Sequence, residues 1–152
     1  MELQKIGTVR SPYKSLADIP RQGRFVNTVS EIEILPAFAD GLLRIETAQR
    51  LIVLYWANLA KRDVLQTLPP AGSELRGVFS CRAPHRPNPI SLCIADLLAR
   101  EGNILRVKHL DALDGSAVID IKPYTSVDSL PIDNAEEFNA GVGIASAKKS
   151  CS

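Results

Sequence analysis

"NILRVKHLDALDGSAVIDIKPY", residues 103–124, sets the fold class. In Asn103–Leu110 the apolar Leu105 and Val107 alternate with Arg106 and Lys108. In Ala117–Tyr124, Ile119 and Ile121 alternate with Asp120 and Lys122. A period of two places successive side chains on opposite faces of a strand, so each half predicts a strand with one wet face. Between them, Asp111–Gly115 carries an Asp-Gly turn signal.

The pattern recurs along the chain. "IGTVR" predicts a short strand and "SPYKS" a turn. "RFVNTVSEIEIL" (24–35) alternates over its second half, and "RLIVLYWA" (50–57) predicts a strand buried on both sides. "ELRGVFS" (74–80) and "ISLCIADLLA" (90–99) are further strand candidates, and residues 37–47 suggest a short helix. Long amphipathic helices, which a doubly wound parallel sheet needs between its strands, are missing. The expectation is therefore a mainly β protein, a small antiparallel β-barrel or sandwich with a few short helices. Residues 1–152 read as a single domain. Residues 131–152 form a tail with one short helix around Ala135–Asn139, and no separate C-terminal domain is expected.

The chain has 152 residues, 45% hydrophobic and 23% charged, with a formal net charge of +1. This is globular composition, enough for a core without staples. The charge argues against a generally basic nucleic-acid coat but allows a local patch. Three cysteines (Cys81, Cys93 and Cys151), without C-x-x-C spacing, fit a reduced cytoplasmic protein. The N-terminal residues lack an apolar signal core, and the longest apolar run, Leu51–Ala57, is too short to cross a bilayer. No membrane role is expected.

Phosphate-loop, zinc-protease and nucleophile-elbow patterns are absent. Cys81, His85 and Cys93 match no zinc spacing, so no metal is expected. Three polar segments remain. In "IPRQG" (19–23), Pro20 biases Ile19 away from helix, and Gly23 permits close backbone approach or a positive φ. Arg21 there either offers a fork to an anion or satisfies neighbouring carbonyls. In "GVFSCRAPHRPNPI" (77–90), Pro84, Pro87 and Pro89 stiffen a loop that carries Arg82, Arg86 and Asn88. Stiff loops hold polar groups in a preset arrangement, and a guanidinium binds carboxylate or phosphate through a planar fork. In "LDALDGSAVIDIKPY" (110–124), the turn amides can face a ligand and Asp114 can bind an ammonium or a diol, while Asp120 and Lys122 fit a solvated face equally well.

Taken together, Ile19–Gln22, Gly77–Ile90 and Leu113–Tyr124 resemble the TsaA-like family, the tRNA threonylcarbamoyladenosine N6-methyltransferases. "GTVRSPY" resembles it too, and the likeness runs over roughly residues 5–130. The resemblance implies a β-barrel homodimer that binds S-adenosylmethionine and acts on tRNA. It carries cofactor contacts to Pro20, Arg21, Gln22, Asn58, Leu59, Arg82, Leu92, Leu113, Asp114, Gly115 and Ser116. Arg86 and Asn88 are expected to meet the substrate, and Tyr124 and Lys122 are the candidates near the acceptor nitrogen. The chain departs from the family pattern at Asn58-Leu59, Ser91 and Ala117. A small-molecule acceptor, or a cofactor-binding regulator without catalysis, are the alternative readings.

Overall fold

The computed structural model describes residues 1–21, 23–70 and 72–129. The tail from Pro131, with its expected short helix, lies outside them, as does Gln22. The described residues divide into two compact units: Met1–Leu59 with Pro89–Tyr124, and Ala60–Asn88 with Thr125–Ser129.

The first unit is a closed six-stranded antiparallel barrel. Its strands are β1 (Gly7–Arg10), β2 (Val29–Ile34), β3 (Arg50–Trp56), β6 (Ile90–Glu101), β7 (Ile104–Lys108) and β8 (Ala117–Pro123), in the order β1-β2-β7-β6-β3-β8. Along the strands alternate residues face inward. Val9, Ile32, Ile34, Leu51, Val53, Tyr55, Cys93, Ala95, Leu105, Val107 and Val118 point inward and fill one core. Closing the sheet removes its edges, and two bulges provide the bending that closure needs. One lies between Leu97 and Ala99 of β6, the other where β8 meets Leu54 and Tyr55 of β3.

Expected burial of "LIVLYW" on both sides holds for one face only. Leu51, Val53 and Tyr55 are buried, whereas Ile52, Leu54 and Trp56 are half-buried on the outside. A barrel closed on itself has one interior, so alternate residues of every strand must face out. The predicted helix over 37–47 is two 3-10 segments, Pro36–Leu42 and Ile45–Thr47.

β7 and β8 stand opposite each other in the ring of six and do not pair. The segment after Lys108 therefore crosses the barrel instead of forming a hairpin. Leu110 and Ala112, both fully buried, plug the core on the way.

The second unit holds a small hairpin, β4 (Gln66–Thr67) with β5 (Arg76–Gly77). "ELRGVFS" gives only these two strand residues before the 3-10 turn Val78–Ser80, because the run has no barrel neighbour to pair with.

Candidate functional site

The crossing segment Asp111–Ser116 is a junction. From β1 and the turn after it, Ser11 Oγ donates to Ala112 O at 2.8 Å and Ser11 N–H to Asp114 Oδ1 at 2.9 Å. Lys14 Nζ donates to Asp114 Oδ2 at 2.7 Å. These two donors, Lys14 first and then the Ser11 amide, hold the Asp114 carboxyl below the usual carboxylate range. Gly115, at φ +83, occupies the third position of a turn closed by Ser116 N–H on Leu113 O at 3.0 Å. That position needs a positive φ, which glycine adopts without strain.

The turn amides do not face outward as expected. Asp114 N–H donates to Tyr13 O and Gly115 N–H to Val9 O, both at 2.8 Å, so the fold consumes them. Buried backbone donors take the partner at hand, and β1 supplies it. Asp114 is likewise engaged, although a carboxylate has acceptor positions beyond the two in use.

β3 reaches the junction twice. Tyr55 Oη donates to Asp111 Oδ1 at 2.8 Å, and burial together with that carboxylate pushes the Tyr55 phenol well above its usual range. Just past the strand, Asn58 Nδ2 donates to Gly115 O at 3.3 Å. Leu59 beside it is 62% exposed, and Leu92 lies on the outer face of β6 opposite Leu54.

Gly23 docks on the start of the same segment. Gly23 is buried, and a Cβ on it would lie 1.8 Å from His109 O and 3.1 Å from Asp111 N. Close approach, not a positive φ, requires this glycine. Arg21 projects beyond it, exposed and without a hydrogen bond to any described residue.

His109 carried no sequence signal. It adopts φ +71, its Nδ1 meets Val26 O at 2.7 Å, and its Nε2 lies 3.3 Å from Asp96 Oδ2. A carbonyl can only accept, so Nδ1 carries a proton. Nothing in its neighbours along the chain announces a left-handed histidine.

Lys122 and Tyr124 do not join the Asn58–Gly115 contact. Lys122 pairs with Ile52 and Tyr124 N–H donates to Arg50 O, at the start of β3. They lie roughly 20–30 Å along the strands from the turn. Lys122 Nζ is bound to Asp120 Oδ2 at 2.5 Å.

In the second unit, Arg86 donates to Ala83 O at 2.8 Å, Val78 O at 2.9 Å and Cys81 O at 2.5 Å. Its fork therefore organises the loop itself. Arg82 stands exposed on that loop without a hydrogen bond or ion pair to any described residue, and Asn88 is exposed between Pro87 and Pro89. Among the described residues, no group of three His, Cys, Asp or Glu could hold a metal, and no helix is long and apolar enough to cross a membrane.

An S-adenosyl-L-methionine-binding protein of Archaeoglobus fulgidus is 55% identical to this chain over 125 residues, which is 82% of this chain and 90% of that protein. A probable S-adenosyl-L-methionine-binding protein of the same organism is 53% identical over 131 residues, 86% of this chain, but this chain spans only 36% of it. The tRNA (adenine(37)-N6)-methyltransferase of Escherichia coli is 31% identical over 142 residues, 86% of this chain and 60% of that protein. The crystal structure of TrmO from Pseudomonas aeruginosa matches with a TM-score of 0.73 at 28% identity, covering 91% of this chain and 62% of that one. Residues 8–129 match the family described as the tRNA-methyltransferase O N-terminal domain, and the chain belongs to that family.

Proposed function

We propose that this chain is an S-adenosylmethionine-dependent methyltransferase whose acceptor is N6 of threonylcarbamoyladenosine in tRNA. The observation that carries this reading is the junction at Asp111–Ser116. Two of the segments that resemble the family's cofactor loops, and the strand-end Asn58, meet there through Gly23 and Gly115. The name of the Archaeoglobus relative supports the cofactor alone, and that of the Escherichia relative supports methyl transfer to tRNA.

The residues fit such a ligand. Tyr13 Oη is buried without a hydrogen-bond partner among the described residues, on the segment whose carbonyl holds the Asp114 amide. A buried hydroxyl left orphaned marks a place where a polar partner belongs. Arg21 and Arg82 each offer an uncommitted fork, suited to the ligand's carboxylate. Asn58 keeps one amide proton and its carbonyl for the ribose or base. Leu59, Leu92 and Leu113 supply apolar surface for adenine, with Pro20, Gln22 and Ser116 completing the proposed contacts.

When bound, S-adenosylmethionine would supply an electrophilic methyl group to N6, with S-adenosylhomocysteine as the leaving group and the N6 proton passing to solvent. This displacement needs alignment above all, and positioning can supply ~7–11 kcal/mol of the barrier reduction. In this proposal the chain's part is orientation: Arg86 fixes the loop that carries Arg82, and Asn88 faces the acceptor from that loop. A role for Lys122 or Tyr124 at the acceptor requires them to act in a partner subunit's site. The proposal accordingly includes a symmetric homodimer, with the outward row Ile52, Leu54 and Trp56 of β3 as apolar surface for it to cover.

A small-molecule acceptor is the second reading, favoured by the departure from the family pattern at Asn58-Leu59. Labelled methyl transfer to tRNA lacking the N6-methyl group, with a small-molecule extract alongside, tests the two. Label in the tRNA nucleoside supports the proposal, label in the extract alone supports the second reading, and binding without transfer leaves a regulator.

A further inference from the structure

Phe79 is the most exposed aromatic side chain among the described residues, 83% accessible, yet its backbone is tied on both sides. Val78 before it is buried, and its N–H donates to Leu65 O at 3.0 Å. Ser80 Oγ donates to Gly77 O at 2.8 Å, and the Arg86 guanidinium bonds the carbonyls of Val78 and Cys81, the residues that bracket Phe79 and Ser80. An aromatic ring is thus held outward on a preset turn, so little order is lost when something packs on it.

Its surroundings are basic. The segment Ala60–Leu65 is laced to the same loop: Lys61 N–H donates to His85 Nδ1 at 2.9 Å, Arg86 N–H to Lys61 O at 3.1 Å, and Arg62 Nε to Pro87 O at 2.9 Å. Lys61 and Arg62 are both exposed. Over residues 60–88, Lys61, Arg62, Arg76, Arg82 and Arg86 face only Asp63 and Glu74 as acidic counterparts.

We propose that Phe79 is a stacking platform for an unpaired base of the RNA substrate, with Lys61 and Arg62 contacting the adjoining phosphates. The proposal rests on the tRNA reading above. Every base has a π-face, and aromatic rings beside cations are the recurrent means of holding unstacked nucleotides. Chemistry on a base inside a loop requires that base to leave its stack, and its neighbours then need a surface to rest on. Leu65 and Leu75 are also exposed, at 63% and 67%. A second copy of the chain docking here would use them together with Phe79, so that outcome is built into the test.

The test is equilibrium binding of total tRNA lacking the N6-methyl group to the parent protein and to Phe79→Ala, Phe79→Leu and Phe79→Trp. Calorimetry with S-adenosylmethionine, thermal melting and light scattering accompany each protein. The expected result is a loss of affinity of about 5- to 100-fold in Phe79→Ala and Phe79→Leu, with Phe79→Trp within about twofold of the parent. Cofactor affinity and melting temperature should stay constant. If the parent binds tRNA and Phe79→Ala or Phe79→Leu binds equally well, stacking is overturned while the tRNA reading stands. If Phe79→Ala turns a dimer into monomers with unchanged RNA affinity per protomer, the ring belongs to a contact between copies and the proposal fails. If the parent binds no tRNA, the substrate reading falls and this inference with it.

Discussion

Replacing Gly23 by alanine tests whether the Ile19–Gly23 loop is held where the structure has it. The added Cβ would sit 1.8 Å from His109 O and 2.6 Å from His109 C. Ordinary contact between carbon and oxygen is over 3 Å, so more than an ångström must be recovered from backbone on both sides. His109 cannot give way easily: its N–H donates to Thr28 O, its carbonyl accepts the Cys93 thiol at 3.1 Å, and its ring is bonded to Val26 O. Overpacking of this kind costs ~1–3 kcal/mol and sometimes more, so the loop should detach locally. In a chain this size, 2 kcal/mol lowers Tm by about 4–8 °C. Gly41→Ala is the control, because its Cβ meets nothing within 4 Å. Thermal melting and calorimetry with S-adenosylmethionine on both variants give the readout. Gly23→Ala should melt lower and bind the cofactor at least tenfold more weakly, while Gly41→Ala matches the parent. A Gly23→Ala protein with the parent's Tm and affinity refutes the docking of this loop.

Asp114→Asn removes a carboxylate whose folded pKa is depressed by Lys14 and the Ser11 amide. A depressed pKa contributes stability that is present above the unfolded value, about 4, and lost as pH falls through the folded value. Urea melts should show the variant weaker than the parent at neutral pH and the gap closing in acid; a gap independent of pH contradicts this. Arg86→Gln removes charged hydrogen bonds to three carbonyls and should cost ~1.5–3 kcal/mol, whereas exposed Arg82→Ala should leave stability within ~0.5 kcal/mol and weaken cofactor binding. The reverse ranking in urea melts contradicts the assignment of Arg86 as the loop's internal brace.

The barrel was legible because a period of two is written into Val29–Ile34 and Ile104–Lys108 and no helical period interrupts them, whereas Arg50–Trp56 carries a continuous apolar run whose single buried face only the closed barrel reveals. The crossing at Leu110–Ala112 was not, since a turn signal at Asp114-Gly115 does not say whether the flanking strands pair with each other. The proline-rich loop engages the Arg86 guanidinium through three carbonyls. Which arginine it displays and which it consumes depends on carbonyls brought together only by the fold, so Arg82 and Arg86 looked alike in sequence. The same holds for Asp114: its residue type suggested a ligand contact, and only the fold reveals Lys14 and Ser11 already on it. Strand length separated Lys122 and Tyr124 from Asn58, which sequence order along "DIKPY" did not convey.

The central claim is that this chain holds S-adenosylmethionine, and titration calorimetry of the purified protein with that ligand tests it most directly. The account predicts saturable binding at one site per chain and a rise in melting temperature that grows with ligand concentration by linkage. No heat and no thermal shift at millimolar ligand would contradict it.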